Sequence, residues 1–171
     1  MLRKSIVIAA LCLLPSLAHA QAARGPWELE LGGSGANGPN FNGFAAAVDG
    51  SIGYYLSDAF ELSLRQNGQY SDTGGVGWAA STRIAADFHL PLGDQGQFVP
   101  FVGANIGYAY GHPFHDTFEA APEAGLKYYA NATTFVYVSV EYQFFFDQHS
   151  TTPGVFRNGE FLYGLGIGFR F

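Results

Sequence analysis

Apolar and polar side chains alternate at every second position through most of this chain. In "WELEL", Trp27, Leu29 and Leu31 share one face, and Glu28 and Glu30 share the other. Sustained period-two alternation is typical of β-strands with two different faces. The alternating segments are WELEL, GFAAAVDGSIGYYL, AFELSLRQNGQY, GWAASTRIAADFHL, FVPFVGANIGYAY, FEAAPEAGLKYYA, FVYVSVEYQFFF and EFLYGLGIGFRF. They predict eight strands and an all-β chain.

The length of these segments favours strands that cross a membrane. Strands of soluble proteins usually run about 5–6 residues, whereas a tilted transmembrane strand needs about 9–11. Charged residues make up only 13% of the chain, about half the share of soluble domains. A soluble β-sandwich, the alternative, would have shorter strands and a strongly charged outer face. We therefore expect an eight-stranded, antiparallel, up-and-down transmembrane β-barrel.

The connections between the segments also differ in length. One set is mostly short, namely "LSDA", "PLGDQGQ" and "NATT", and the other is mostly longer, namely "GANGPNFN", "SDTGGV", "GHPFHDT" and "DQHSTTPGVFRNGE". Short turns at one rim and longer loops at the other are typical of outer-membrane barrels. With an even number of strands, both termini lie at the short-turn rim, which we expect to face the periplasm.

Backbone polar groups cannot stay unpaired in hydrocarbon, so spanning strands must close into a barrel. The apolar faces then point to lipid and the polar faces line the interior. Aromatic residues are expected in a girdle at each rim. At the short-turn rim these are Trp27, Tyr54, Phe60, Phe98, Tyr128, Phe135 and Phe169, and at the long-loop rim Phe44, Tyr70, Trp78, Tyr110, Phe144 and Phe161.

The first twenty residues have the three parts of a signal peptide. Arg3 and Lys4 precede the apolar run Ile6–Leu14, and "AHA" ends at Ala20. We expect cleavage there, which leaves residues 21–171 as the barrel domain. That domain has no cysteine and carries six basic against fourteen acidic residues. This charge argues against nucleic-acid binding and against a polybasic membrane anchor.

The stretches "FVPFVGANIGYAYG", "PEAGLKYYANATTFVYVSVEYQFFF" and "YGLGIGFRF" resemble the small outer-membrane β-barrel superfamily of the OmpX and OmpA-barrel type. The resemblance implies Sec-dependent export to the outer membrane of a Gram-negative bacterium. It also implies contact with outer-membrane lipid and lipopolysaccharide, and with periplasmic chaperones and the barrel-assembly machinery during biogenesis. The assembly signal would comprise Tyr163, Leu165, Ile167, Phe169 and Phe171. A structural or surface role in envelope integrity or adhesion is the function that the resemblance implies, with the surface partner unidentified.

The lumen of an eight-stranded barrel is about filled by its own side chains. The charged residues predicted to face it are Glu28, Glu30, Asp49, Glu61, Arg65, Arg83, Asp87, Glu123, Lys127, Glu141 and Arg170. Residues four apart on one strand, such as Arg83 and Asp87, lie about 13 Å apart, so ion pairs must join different strands. We expect a network that plugs the lumen. A narrow channel for ions or small solutes is the alternative, favoured by the small inward residues Gly103, Gly107, Gly164, Gly166 and Gly168.

Two constellations could carry chemistry. His149, Ser150 and Glu160 could form an esterase site of the lipid A-modifying kind, although adjacent strand residues point to opposite faces. The second constellation is His112, His115, Asp116 and Glu119, whose side chains suit zinc or copper but match no strong metal motif. An ordinary polar loop explains each set, so we expect no catalytic residue, metal or cofactor.

Removing Phe171 is expected to slow assembly of the barrel, because this residue ends the alternating segment that resembles an assembly signal. Heat-modifiable mobility on gels and the yield of protein at the cell surface measure this effect. Unchanged mobility and unchanged yield in the truncated protein would refute the assignment.

Overall fold

The computed structural model describes residues 25–37, 44–72, 77–93, 96–112, 116–146 and 159–171. The strands are β1 Trp27–Asn37, β2 Phe44–Tyr55, β3 Phe60–Ser71, β4 Gly77–His89, β5 Phe98–His112, β6 Thr117–Tyr129, β7 Thr134–Phe145 and β8 Glu160–Arg170. The predicted signal peptide, residues 1–20, lies outside the described residues.

Each strand pairs with its neighbours in sequence, and β1 pairs with β8, so the sheet is a closed antiparallel barrel. The predicted fold is confirmed. The closing ladder runs from the pair of Glu28 with Arg170 to the pair of Gly32 with Gly166. Trp27 and Phe171 extend it, since the amide of each donates to the carbonyl of the other, at 3.0 and 2.9 Å. No helix in the described ranges has the length and hydropathy needed to cross a membrane.

Residues 56–59, 90–97 and 130–133 connect strands at one end of the barrel, which we call the short-turn rim. Side chains fix two of these turns. The Ser57 hydroxyl accepts a hydrogen bond from the Phe60 amide at 3.1 Å. The Asn131 amide oxygen accepts bonds from the amides of Thr133 and Thr134, at 2.9 and 2.8 Å. Short polar residues favour tight turns through such bonds to nearby backbone.

The outer surface of the barrel is a belt of large apolar side chains. Ile52, Leu64, Ile84 and Ile106 are neighbours in register across four strands, and all are exposed. The alternate residues of the same strands point inward and, apart from Gln69, are buried or half-buried. The outward apolar face predicted from the alternation is therefore confirmed.

Aromatic pairs lie on the outer face near both rims. Trp27 packs edge-on against Tyr54 at 4.9 Å between ring centroids, and Tyr142 packs against Phe161 at 4.8 Å. The prediction for Phe135 was wrong, because this residue is completely buried inside the barrel. Its position is odd in β7, where the even-numbered valines face outward.

Replacing Val138 by arginine is expected to destabilise the barrel by about 2–4 kcal/mol, the cost of a cation near the bilayer midplane. Val138 is 51% exposed and lies between Leu126 and Leu165 on the outer face. Urea titration of the protein refolded into lipid bilayers measures the change. Ala132→Arg, in the turn between β6 and β7, is the control and should cost about 0–1 kcal/mol. Equal free energies of unfolding for Val138→Arg and the parent protein would mean that the faces are assigned the wrong way round.

Candidate functional site: the charged barrel interior

The first ionic centre in the lumen is the ammonium group of Lys127 on β6. Its Nζ contacts Glu28 and lies 3.1 Å from Glu30, both on β1, and 3.3 Å from Glu61 on β3. The Tyr55 hydroxyl donates to Glu28 at 3.1 Å. Because β6 is not adjacent to β1 or β3, these bonds cross the lumen rather than the sheet.

The second centre is the guanidinium group of Arg65 on β3. One of its terminal nitrogens is 2.6 Å from Asp87 on β4, and the other is 2.5 Å from Glu123 on β6. Its Nε donates to the Ser63 hydroxyl at 3.2 Å. The planar fork of arginine suits two carboxylates at once, so Arg65 joins one wall of the lumen to another.

The third centre is Arg83 on β4. Its terminal nitrogen lies 2.6 Å from Glu141 on β7, and its Nε lies 3.8 Å from Glu119 on β6. Asn105 donates to the second oxygen of Glu141 at 2.8 Å, and Gln143 donates to Glu119. The sequence interpretation placed Glu119 with a possible metal loop, which was wrong. Its odd position in β6 points it into the lumen together with Glu123 and Lys127.

The two remaining residues of the predicted lumen set lie outside these three centres. Asp49 accepts a hydrogen bond from Asn67 at 2.6 Å, on the neighbouring strand. Arg170 donates to the Gly25 carbonyl at 2.9 Å, and its guanidinium lies 3.4 Å from the centre of the Tyr55 ring. All eleven residues therefore point inward, but they form three separate centres with two flanking contacts.

An apolar cluster lies in the lumen near the short-turn rim, and the sequence interpretation missed it. Val99, Tyr129 and Phe135 are completely or almost completely buried there, with Tyr137 packed against them. Each residue occupies an inward-facing alternate position of its strand. At least one residue beside it is also large and apolar, so the sequence does not distinguish the two faces there.

His89 extends this apolar cluster toward the Lys127 centre. The imidazole lies between the rings of Tyr55 and Phe101, at centroid distances of 5.2 and 5.4 Å. Its Nε2 is 3.5 Å from Glu61. The side chain is completely buried. A polar ring therefore lies between aromatic side chains and a carboxylate of the Lys127 centre.

The inward glycines do not widen the lumen at the positions where a neighbouring side chain covers them. A Cβ atom at Gly103 would collide with the Asp87 carboxyl, and one at Gly107 with the side chain of Arg83. Gly164, Gly166 and Gly168 are covered in the same way by Ser139, Tyr137 and Phe135. These glycines therefore provide space for side chains of the neighbouring strands.

Neither candidate chemical constellation lies wholly within the described part of the chain. His149, Ser150 and His115 lie outside the described residues, and Glu160 begins β8. His112 and Asp116 are exposed near the long-loop rim, whereas Glu119 is buried in the lumen. Among the described residues, no group of three His, Cys, Asp or Glu side chains is placed to hold a metal ion.

Comparison with known proteins shows that this barrel is similar to small outer-membrane barrels. No protein-family model matches the sequence. The outer membrane porin F of Pseudomonas aeruginosa is 28% identical over 136 residues, which cover 71% of this chain and 37% of that protein. The chain thus spans well under half the length of this relative.

Solved structures agree in fold. The N-terminal β-barrel domain of Pseudomonas aeruginosa OprF matches with a TM-score of 0.59 and 24% identity, covering 86% of this chain and 98% of that one. OprG of the same organism matches at 0.57 and 13% identity, covering 88% and 98%. Neisserial surface protein A matches at 0.55 and 9% identity, covering 87% and 96%. The predicted resemblance to small outer-membrane barrels is confirmed in the fold.

Replacing Lys127 by methionine is expected to lower the free energy of unfolding by about 3–5 kcal/mol, the cost of leaving buried charges without their partner. Urea titration in bilayers measures it. Glu30→Gln is the matched control, with a smaller expected loss because Glu28 and Glu61 keep their cation. A loss below about 1 kcal/mol for Lys127→Met would show that the centre is not a buried ionic cluster.

Proposed function

We propose that this chain is an integral outer-membrane barrel with a plugged lumen and a structural or surface-interaction role. The observation that carries the proposal is the filling of the interior. Three ionic centres cross the lumen at successive levels, and an aromatic cluster lies between them and the short-turn rim. Water and ions would have to break several buried bonds to pass.

The strength of such a plug comes from the cost of separating buried charges. Arg65, Arg83 and Lys127 each contact carboxylates on at least two other strands. Moving one cation aside would leave its partners buried and unpaired, which costs several kcal/mol. The same bonds join opposite walls, so the network also stiffens the barrel. A rigid outer-membrane anchor follows from this arrangement.

The proposed setting is the outer membrane, with the short-turn rim and both termini in the periplasm. The signal peptide of residues 1–20 would direct Sec-dependent export, and the assembly machinery would read the end of β8. Lipid and lipopolysaccharide would surround the apolar belt, and the longer loops would face outward to an unidentified surface partner. The names of the similar proteins, a porin and a surface protein, support a non-catalytic role.

A narrow channel is the second candidate function. It is favoured by the name of the relative, a porin, and by the polar character of the lumen above the aromatic cluster. In that case the bonds of Arg65, Arg83 and Lys127 would have to open transiently, and the aromatic cluster would be the remaining barrier.

Refolded protein in planar bilayers is expected to show no steady open conductance, because the plug fills the lumen. The double variant Tyr129→Ala with Phe135→Ala removes much of the aromatic cluster, and its conductance is compared with that of the unaltered protein. Heat-modifiable gel mobility verifies that both proteins are folded. A stable ohmic current from the unaltered protein would overturn the plug and support the channel.

A further inference from the structure

The Arg65 centre contains one cation and two carboxyl groups. One oxygen of each carboxyl group has no bond to Arg65. Arg65 contacts one oxygen of Asp87 and one oxygen of Glu123, at 2.6 and 2.5 Å. The other oxygens, Oδ1 of Asp87 and Oε1 of Glu123, are buried and accept no hydrogen bond from the described part of the chain. Buried polar atoms are almost always hydrogen-bonded. We therefore expect a further ligand that bonds to these two oxygens.

The strand between the two acids brings them together. Asp87, Gly103 and Glu123 are neighbours in register on β4, β5 and β6. The Oδ1 atom of Asp87 occupies the space where a side chain at position 103 would stand. Asp87 therefore leans across β5 toward Glu123, and the two carboxyl groups lie side by side on the guanidinium group of Arg65.

The chemistry of this contact favours a proton as the ligand. An ionised carboxylate only accepts hydrogen bonds, so a bond between two carboxyl groups requires that one carries a proton. Two adjacent buried carboxylates cannot both ionise without a large cost. Calcium takes 6–8 oxygen ligands and magnesium an octahedral set, whereas a proton needs only the two oxygens available here.

We propose that Asp87 and Glu123 hold one shared proton in the folded barrel. With the positive charge of Arg65, the protonated pair forms a neutral unit of three side chains. The chain takes up this proton from water when the two acids meet during folding. The site is independent of whether the lumen conducts ions.

Other charged groups surround the pair, and they must be separated from it in any test. Glu61 on β3 pairs in register with Asp87, and Glu141 on β7 pairs with Glu123. Arg83 and His89 share the inward face of β4 with Asp87, and Lys127 shares that of β6 with Glu123 and contacts Glu30 on β1. The uncharged inward residues of the other strands include Gly103 on β5, Ser51 on β2 and Gly164 on β8. Glu141 is the best control, because Arg83 and Asn105 donate to its two oxygens. It needs no proton to satisfy its oxygens.

Infrared spectroscopy of the refolded protein in lipid bilayers at neutral pH tests the proposal directly. A protonated carboxyl has a carbonyl stretching band distinct from that of carboxylates. We expect this band in the parent protein, its loss in Asp87→Asn and again in Glu123→Gln, and its persistence in Glu141→Gln. Two independent variants keep the test valid if one of them fails to fold.

The pH dependence of unfolding provides a second readout. The folded pair keeps a proton that the unfolded carboxyls lose above about pH 4–5. Unfolding then releases one proton, so the unfolding equilibrium constant of the parent rises about tenfold per pH unit relative to Asp87→Asn. Glu141→Gln should keep the parental slope. The stabilisation that the shared proton contributes is therefore complete below the pKa of the unfolded carboxyls. It declines as the pH rises and is lost when the folded pair ionises.

Two results would overturn the proposal. One is a neutral-pH spectrum without a carboxyl band that both Asp87→Asn and Glu123→Gln remove. The other is stability that follows the concentration of sodium or calcium, with the same pH slope in the parent and in Asp87→Asn. The second result would assign the two oxygens to a metal cation.

Discussion

Backbone hydrogen bonding in a medium without water determines the arrangement of this molecule. A strand that crosses hydrocarbon must pair on both sides, and here the ladder between β1 and β8 completes the circle. Closure forces one face of every strand outward and the other inward. The apolar side chains then meet lipid, and the charged side chains are confined to a narrow lumen.

Confinement explains why the ionic bonds run across the lumen. A charge buried without a partner costs several kcal/mol, and adjacent strands supply too few opposite charges in register. Arg65 and Arg83, for example, are direct neighbours on β3 and β4. Arg65 has one carboxylate on the adjacent strand, Asp87, and takes its second, Glu123, from a non-adjacent strand. Arg83 reaches Glu141, which also lies on a non-adjacent strand. The same bonds join strands on opposite walls of the barrel.

Glycine has a different role inside the barrel from the one its size suggests. Small inward residues in the sequence indicate empty space, yet Gly103 and Gly107 are covered by side chains from the adjacent strand. Long charged side chains need room to lie flat before they cross the lumen. The glycines supply that room.

The fold was predictable because period-two alternation specifies both the strands and their faces. Val138 and Leu165, for example, are outward as their parity requires. The inward set was predictable by the same argument, but the partners were not, because alternation contains no information about contacts across the lumen. The buried Phe135 was missed because an aromatic side chain near a rim fits either face. Glu119 lies in a segment predicted as a strand, but it was left out of the lumen set because it was grouped with His112, His115 and Asp116.

The central claim is that the apolar face of each strand meets lipid and the charged face lines the lumen. A nitroxide scan from Val136 to Val140 on β7, in protein refolded into bilayers, tests it most directly. The only cysteine is Cys12, within the predicted signal peptide, so the barrel domain accepts single labels. The account predicts high accessibility to oxygen dissolved in lipid at Val136, Val138 and Val140, and low accessibility at Tyr137 and Ser139. High accessibility at Tyr137 and Ser139 with low accessibility at the three valines would contradict it. Equal accessibility at all five positions would also contradict it.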